Sequence, residues 1–367
     1  AAVYFTIPGN LFVQLLEGLE SDGQLLHYTE DVAGTVTVHE TLGGNRALRV
    51  NGTGEVRDDF ASIQTFRMLG NLPPLLHPDP NDVVVVAFGG GVTLSSVEIH
   101  QPERLSCVEI VPGVFRAARY FGKYNNHLSD RFGAPHLRLF AEDGRNHLLR
   151  TTDRYDIIIC DSTHPTTADS WLLYTREFYD ICRQRLKQGG MMAQWVPTHG
   201  LSAEEYRTIV RTFFRVFPHS SIWLNQIYTI LLATPKSLEV DFNALTARMS
   251  PPAIQANLKK VELAEPLAFL SMLGLGETAI QEYVGAGEIN TDARTYAGYL
   301  RDNESGLDGS AVIESLQPYL VKKSRGWLTA DDRYSMQVER RLVARERSLS
   351  GLIHMMRGAN QQARSQL

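Results

Sequence analysis

A run of glycines and a distant glutamate are the first groups in this sequence that could do chemistry. The apolar run Val83–Val86 leads into Gly89, Gly90 and Gly91, and the next apolar run ends at Glu109. Glycines after a buried strand let a ligand approach the backbone, and a carboxylate that closes the next strand can accept hydrogen bonds from both ribose hydroxyls. The pattern predicts a site for a nucleoside cofactor. It is not the dinucleotide fingerprint Gly-x-Gly-x-x-Gly, which would need a glycine at Leu94.

Two aspartates follow later apolar runs. Asp143 comes after residues 137–140, where it could accept a hydrogen bond from an exocyclic amine such as adenine N6, or cap the helix expected there. Asp161 comes after residues 155–160, at the end of an expected central strand, where ligands of α/β proteins bind. A carboxylate there can accept a proton from an amine or hold the amine while its lone pair attacks. The alternative is a turn in which Asp161 and Ser162 cap their own backbone.

Several aromatic side chains and histidines lie near these acids in sequence. His164 can titrate near neutrality, although a lone histidine in a turn is commonly a structural hydrogen-bonding residue. Tyr174 either packs in the core or forms a lid, and Trp195 either lines the pocket or plugs it. His199 and His219 have no carboxylate or cysteine at ligand spacing, so we predict no metal site.

An alternating series of strands and helices must position these groups. Strands are expected at 83–88, 105–110, 137–140, 156–160, 190–195 and 228–233. Helices are expected at 92–100, 112–122, 144–150, 171–187 and 202–216. This alternation predicts an α/β fold of Rossmann type, with a mainly parallel sheet covered by helices on both faces.

The flanking regions have a different character. Residues 34–40 and 46–52 are expected to pair as a β-hairpin across a Gly43-Gly44-Asn45 turn, and a helix is expected from Asp58 to Leu69. After Pro235 helical patterns dominate, and residues 331–357 are typical of an amphipathic helix. We therefore predict three units: an N-terminal segment with a small β domain, a Rossmann-like nucleoside-binding domain and a helical extension, over 1–75, 76–235 and 236–367.

Composition excludes several functional classes. The 367 residues carry a formal net charge of −5, and no basic excess indicates a nucleic-acid partner. No stretch reaches the roughly 18–20 apolar residues that cross a bilayer. The three cysteines (Cys107, Cys160 and Cys182) lack paired spacing, so we expect buried thiols in a reducing compartment.

The order of these motifs resembles the polyamine aminopropyltransferases, the family of spermidine synthase. The resemblance rests on the glycine strand, Glu109, Asp143-Gly144 and the segment Tyr155 to Pro165 that contains Asp161-Ser162-Thr163-His164-Pro165, and it covers about residues 25–235. It implies a methyltransferase-like core that binds decarboxylated S-adenosylmethionine, or S-adenosylmethionine itself, as co-substrate. Glu109 would hold the ribose, Asp143 the adenine and Asp161 the attacking amine. The implied chemistry is an SN2 displacement at a carbon next to a sulfonium, which needs placement and a dry pocket.

Three acidic positions of that family are altered in this chain. The family's aspartate in the nucleotide turn falls at Gly90, an acid of its Asp-Ser motif is His164, and the glutamate of its substrate motif is Gln64, while a tyrosine there is Ser62. A polycation needs several carboxylates, so the changes weaken the case for a polyamine acceptor. Because Gly90 carries no acid, the site also tolerates a cofactor with its own carboxylate, which an aspartate would repel.

The departures resemble a subgroup in which the domain is often fused behind membrane helices. Residues 173–179 and 289–292 are similar to that subgroup. The apolar start at Ala1 then fits a cytoplasmic domain cut from a longer membrane protein, and the family resemblance suggests a homo-oligomer.

We therefore predict a transferase that moves an aminopropyl or related alkyl group to a small amine, with Asp161 as the catalytic residue. Cofactor contacts are expected from Gly89, Gly90, Gly91, Glu109, Ile110, Asp143, Gly144 and Asp161. Acceptor contacts are expected from Gln64, Ser162, His164, Tyr174 and Trp195. Two alternatives stay open: an N-methyltransferase or a sulfonium lyase or cyclase with the same cofactor, and a non-catalytic nucleoside sensor.

Overall fold

A small antiparallel sheet opens the part of the chain that the structure describes. The structure is a computed structural model that describes residues 23–167, 170–294 and 308–366, with side chains as far as residue 358. The apolar start at Ala1 therefore lies outside the described residues. The first four strands pair in sequence order and are β1 (Gly23–Asp31), β2 (Gly34–Thr41), β3 (Arg46–Val50) and β4 (Thr53–Arg57). The predicted hairpin is confirmed as β2 and β3, whose register pairs Val38 with Leu48.

An eight-stranded mixed sheet forms the centre of the molecule. Its strands are β5 (Asp82–Val86), β6 (Arg104–Glu109), β7 (Leu137–Ala141), β8 (Tyr155–Cys160), β9 (Leu186–Pro197), β10 (Ser220–Leu224), β11 (Tyr228–Ala233) and β13 (Leu273–Leu275). They lie in the order β13-β10-β11-β9-β8-β5-β6-β7. The five strands from β9 to β7 are parallel, whereas β11, β10 and β13 extend the sheet in antiparallel pairs. A two-stranded parallel ladder joins β12 (Val240–Asp241) to β14 (Leu328–Thr329).

Helices connect these strands and extend the C-terminal region. Those up to the end of the main sheet series are α1 (Phe60–Leu76), α2 (Val92–Glu98), α3 (Gly113–Ala117), α4 (Gly144–Arg150), α5 (Arg176–Arg185) and α6 (Ala203–Val216). Those beyond it are α7 (Phe242–Met249), α8 (Pro252–Lys259), α9 (Pro266–Leu270), α10 (Glu277–Val284), α11 (Ser310–Leu316) and α12 (Asp332–Gln366). Of the helices in the described ranges, none combines the length and the hydropathy needed to cross a bilayer.

The central strands are buried on both faces because each face packs against its own helices. Val83 and Val85 of β5 belong to one apolar cluster, together with residues of α1 and α2. Val84 and Val86 belong to a second cluster, together with residues of α5 and α6. Side chains of a strand alternate between faces, so the run of valines fits a strand covered on both sides. The predicted mainly parallel sheet with helices on both faces is confirmed.

Several predicted element boundaries were wrong for local reasons. Strand β5 ends at Val86, not at residue 88, because Ala87 adopts a φ of +68° that no strand accommodates. The helix expected over 171–187 is a short 3₁₀ turn (Trp171–Tyr174) followed by α5, because Thr175 is extended and caps α5 by accepting a hydrogen bond from the Phe178 N–H. Helix α1 runs past residue 69 to Leu76 and carries two prolines in its last turn.

Candidate active site

Four adjacent strands each end at one of the residues singled out in the sequence. Strands β8, β5, β6 and β7 are neighbours, and they are followed by Asp161, the glycine turn, Glu109 and Asp143 respectively. The backbone continues this alignment, because Asp161 N–H donates to the Val86 carbonyl and Ala87 N–H to the Val108 carbonyl. Neighbouring strands lie about 4.8 Å apart, so Asp161 and Glu109 flank the glycine turn at roughly 10 Å from each other. The groups expected to contact a nucleoside therefore share one edge of the sheet.

The glycine turn packs closely against the small N-terminal sheet. Gly89 and Gly91 have φ values of +53° and +73°, the left-handed region that disfavours side chains. A Cβ atom at Gly90 would lie 3.2 Å from Val56 Cγ1, and one at Gly89 would lie 3.1 Å from Val56 Cγ2. Strand β4 of the small sheet thus covers the turn with an apolar side chain. Part of the glycine pattern is explained by this close approach.

Two backbone N–H groups hold the carboxylate of Glu109 in place. Its Oε2 accepts a hydrogen bond of 2.9 Å from the Phe88 N–H, and its Oε1 accepts one of 2.9 Å from the Val111 N–H. Burial raises the pKa of Glu109, and the backbone hydrogen bonds oppose that rise. Each carboxylate oxygen keeps a second lone pair, so the arrangement leaves acceptors for a diol. The next residue, Ile110, is 49% exposed and offers an apolar surface beside this carboxylate.

Asp161 faces a hydroxyl that the sequence patterns did not reveal. Thr93 Oγ1 donates to Asp161 Oδ2 over 2.6 Å, and Thr93 lies in the first turn of α2, directly after the glycines. Asp161 is only partly exposed, and burial raises its pKa to about 7, while the Thr93 hydrogen bond opposes the rise. It has no basic partner among the described residues. A carboxylate with a raised pKa is better suited to accept a proton than an ordinary aspartate is.

Asp143 caps the helix that follows it, which confirms the second of its two predicted roles. Its Oδ1 accepts a hydrogen bond of 2.6 Å from the Asn146 N–H at the start of α4. Gly144 is needed for close packing of α4 on the sheet, because a Cβ there would lie 2.5 Å from Val86 Cγ1. The contact with adenine predicted for both residues stays a prediction.

Arg145, in the first turn of α4, is engaged in an ion pair. Its guanidinium forms a two-pronged ion pair with Asp292, with one N–O distance of 2.8 Å, and it also reaches the Leu172 carbonyl. Thr175 Oγ1 donates to the same carboxylate over 2.8 Å. The hydrogen bond from Arg145 holds the pKa of Asp292 below its usual range. This cluster ties the segment around residue 292 to the starts of α4 and α5.

Two of the altered family positions are engaged in internal hydrogen bonds. Gln64 is buried, its Nε2 donates to the Val261 carbonyl over 2.9 Å, and its Oε1 lies 3.3 Å from Asn225 Nδ2. Ser62 Oγ lies 3.1 Å from Asp59 Oδ2 and 3.3 Å from the Tyr228 hydroxyl. The amide of Gln64 therefore serves the packing of α1, and Ser62 connects α1 to the first residue of β11.

Ser162 and Tyr174 form a buried brace behind Asp161. Ser162 Oγ donates to the Tyr174 hydroxyl over 3.1 Å, and that hydroxyl lies 3.1 Å and 3.2 Å from the carbonyls of Thr163 and Trp195. Tyr174 is 1% exposed, so it packs in the core and is not a lid. The brace fixes the loop after β8 to the end of β9, and it places Trp195, which is partly exposed, next to Asp161.

His164 is a neutral structural residue in this arrangement. Its Nε2 donates to the His199 carbonyl over 2.9 Å, and its Nδ1 lies 2.7 Å from Thr166 Oγ1. Burial lowers the pKa of His164, and it lowers that of His199 to about 4. In the described ranges, no group of three or more His, Cys, Asp or Glu side chains is placed to hold a metal ion.

A cleft elsewhere contains none of the predicted site residues. It has a volume of about 550 Å³ and is lined in part by Glu98, Arg131 and Lys260, near the amino ends of β6 and β7. Ligands of open α/β sheets bind at the carboxyl ends of strands, so this cleft is at the wrong edge for the nucleoside.

About half of the chain is similar to known proteins. Residues 64–232 match the family model of the spermine/spermidine synthase domain. Over 163 residues the chain is 30% identical to a polyamine aminopropyltransferase of Thermotoga maritima, covering 44% of this chain and 54% of that relative. Over 185 residues it is 34% identical to polyamine aminopropyltransferase 1 of Pseudomonas aeruginosa, covering 50% of this chain and 63% of the relative. The chain thus spans little more than half the length of these curated relatives.

The fold of the chain is similar to that of a solved structure. A crystal structure of spermidine synthase in complex with the transition-state analogue AdoDATO aligns with a TM-score of 0.55 and 19% identity. The alignment covers 71% of this chain and 86% of that one.

Proposed function

We propose that the chain, whose residues 64–232 match the spermine/spermidine synthase domain, transfers an aminopropyl or related alkyl group from a sulfonium nucleoside to a small amine. The nucleoside would lie along the strand ends, with its ribose on Glu109 and its adenine near Asp143 and Ile110. The co-substrate is decarboxylated S-adenosylmethionine or S-adenosylmethionine. The observation that carries the proposal is the pairing of Asp161 with Thr93 beside the glycine turn, within about 10 Å of Glu109.

The chain's own residues would supply placement and a proton acceptor. The lone pair of the amine nitrogen forms a bond to the carbon next to the sulfonium, and the carbon–sulfur bond breaks with its electron pair going to sulfur. The product is a neutral thioether, and the ammonium that forms passes its proton to Asp161 or to water. A carboxylate with a pKa of about 7 can take that proton at neutral pH and release it afterwards.

One observation favours a second candidate, transfer of a methyl group from intact S-adenosylmethionine or a lyase or cyclase reaction on it. At Gly90, where the family resemblance places an acid, a Cβ would have the apolar carbons of Val56 and Phe121 as its nearest atoms, at 3.2 Å and 3.4 Å. This surface offers no carboxylate for the amine of a decarboxylated cofactor. It offers no repulsion to the carboxylate of the intact cofactor either.

Calorimetry with both forms of the cofactor, followed by mass spectrometry of the products, tests these assignments. Tighter binding of the decarboxylated form, with methylthioadenosine and an aminopropylated amine as products, is the expected result. Preference for the carboxylated form would rule against aminopropyl transfer and favour the second candidate. Binding of either form without any product, across a panel of amines, would leave the nucleoside sensor as the function.

Thr93→Val tests whether the hydroxyl beside Asp161 tunes the proton acceptor. Removing the donor takes away the one interaction that lowers the pKa of Asp161, so the acid limb of the kcat profile should move to higher pH. A hydrogen bond to a charged group corresponds to a shift on the order of one pH unit. Thr93→Ser keeps the donor and should keep the profile. An unchanged profile in Thr93→Val would show that Asp161 is not the titrating group.

We also propose that the native chain is a homo-oligomer and a cytoplasmic domain attached to membrane helices. The resemblance to the polyamine aminopropyltransferases supports the homo-oligomer. The resemblance of residues 173–179 and 289–292 to the membrane-fused subgroup supports the attachment to membrane helices. Sedimentation of this chain and membrane fractionation of the native protein test the two parts separately. A monomer in solution would rule out the homo-oligomer. A native protein recovered without membranes would rule out the membrane attachment.

A further inference from the structure

A row of aromatic side chains extends from Asp161 along one face of the sheet. Cys160 pairs with Gln194 between β8 and β9, and Trp195 pairs with Ile230 between β9 and β11. Side chains alternate along strands, and Ile159, Ala193 and Ile230 all belong to the cluster on the α1 side. Asp161, Trp195 and Tyr228 therefore point to that same side. Their order across the sheet is acid, indole and phenol.

The rings touch in an unbroken series. The centroids of Trp195 and Tyr228 lie 5.7 Å apart, those of Tyr228 and His199 5.5 Å, and those of His199 and His164 5.5 Å. All four side chains are partly exposed. These four residues, called the aromatic row below, form a continuous surface of tilted rings, with interplanar angles of 38°, 80° and 51°, that begins beside the proposed base.

The aromatic row is uncharged at neutral pH. Both histidines are neutral there, because burial lowers the pKa of each. Two acids are close enough to affect the pKa values of side chains in the row, and both already have hydrogen-bond partners. Asp59, whose charge raises the pKa of Tyr228, caps α1 and forms an ion pair with Arg57 at an N–O distance of 3.5 Å. Glu205, whose charge raises the pKa of His164 against the larger effect of burial, forms the capping box of α6 with Ser202.

Only Asp161, which lacks a basic partner in the described ranges, is free to hold an ammonium next to this surface. A second ammonium placed on the row would gain cation–π attraction of about 2 kcal/mol. It would leave water without a carboxylate to accept its hydrogen bonds, and that loss is larger. A flat apolar group placed there would bury its surface and stack on the rings. The site therefore selects for one charge followed by an apolar body.

We propose that the acceptor is a primary monoamine with an aromatic body, an arylalkylamine, and not a polyamine. This inference rests on the proposed function. Trp195 is one strand away from Asp161 and Tyr228 two strands away, about 4.8 Å and 10 Å. An amine held at Asp161 through a spacer of about two or three carbons then places its ring over Trp195.

Calorimetry on the full chain saturated with methylthioadenosine measures acceptor binding without any turnover. We expect 2-phenylethylamine to bind at least ten-fold more tightly than putrescine or butylamine. Equal or tighter binding of putrescine, or no binding of any of the amines, would overturn the proposal.

Trp195→Ala should lose about ten-fold in affinity for 2-phenylethylamine and little for butylamine, and Trp195→Phe should retain most of the affinity for 2-phenylethylamine. Trp327→Ala, which changes a tryptophan near the C-terminal helix, is the matched control and should change neither value.

Product analysis separates failure of this inference from failure of the proposed function. Binding of 2-phenylethylamine without transfer of any group would reject the transferase and keep the acceptor site. Transfer to putrescine but not to 2-phenylethylamine would reject the arylalkylamine and keep the transferase.

Discussion

Asp161→Asn is expected to lower turnover by about 10²–10⁴-fold while nucleoside affinity stays within about three-fold. The variant removes the proton acceptor and the charge that orients the amine, but it keeps an oxygen for the Thr93 hydroxyl to donate to. Steady-state kinetics with a sulfonium co-substrate and calorimetry with methylthioadenosine measure the two quantities. Wild-type turnover in this variant would reject the assigned role of Asp161.

The same variant should be more stable than the wild type at pH 8. Burial raises the pKa of Asp161 to about 7, above its ordinary value near 4, so the fold disfavours the ionised form. The contribution of this group to stability is full below about pH 4 and is lost as the pH rises through 7. A neutral amide avoids that loss, so the melting temperature should rise, on the order of 2 °C. Asp180→Asn, at a partly exposed acid paired with Arg183, is the control and should change neither activity nor stability.

Glu109→Gln is expected to weaken nucleoside binding by about 100-fold. Two charge-assisted hydrogen bonds to a ribose each contribute about 1.5–3 kcal/mol, and an amide has one acceptor oxygen in place of two. The substitution also turns an NH₂ group towards the N–H of Phe88 or Val111, both of which now donate to the carboxylate. Stability should therefore fall as well, by about 1–3 kcal/mol.

Calorimetry with methylthioadenosine and urea unfolding measure these two losses. Glu239→Gln is the matched control, because Glu239 is an exposed acid paired with Lys236 and lies outside the proposed site. If Glu109→Gln bound the nucleoside within three-fold of the wild type, the ribose would be held elsewhere.

The local parts of the fold and site could be predicted from the sequence. A valine run, a glycine turn and an acid at the end of the next strand lie within about 30 residues, and strand alternation places their ends at one edge. That reasoning placed Glu109, Asp143 and Asp161 at the same edge of the sheet. Tyr174 could be placed only as core or lid, because its burial depends on the brace from Ser162 to Trp195.

The partners contributed by distant segments could not be predicted. Thr93 and Asp161 are 68 residues apart, and Ser62 and Tyr228 are 166 apart. Their contacts depend on the strand order and on where α1 and α2 cross the sheet, which no local pattern encodes. Arg145 illustrates the same limit, since its partner, Asp292, comes from a loop 147 residues later.

The short strand β13 has a practical consequence for anyone who trims this chain. It pairs with β10 and forms the outer border of the large sheet, although it comes from beyond residue 235. A fragment that stops at 235 would expose the backbone N–H and C=O groups of Ile222 and Trp223 along a flat apolar border. Open borders of this kind recruit other copies by strand addition. Such a shortened protein should be prone to self-association, because it lacks β13, the strand that covers this border in the full chain.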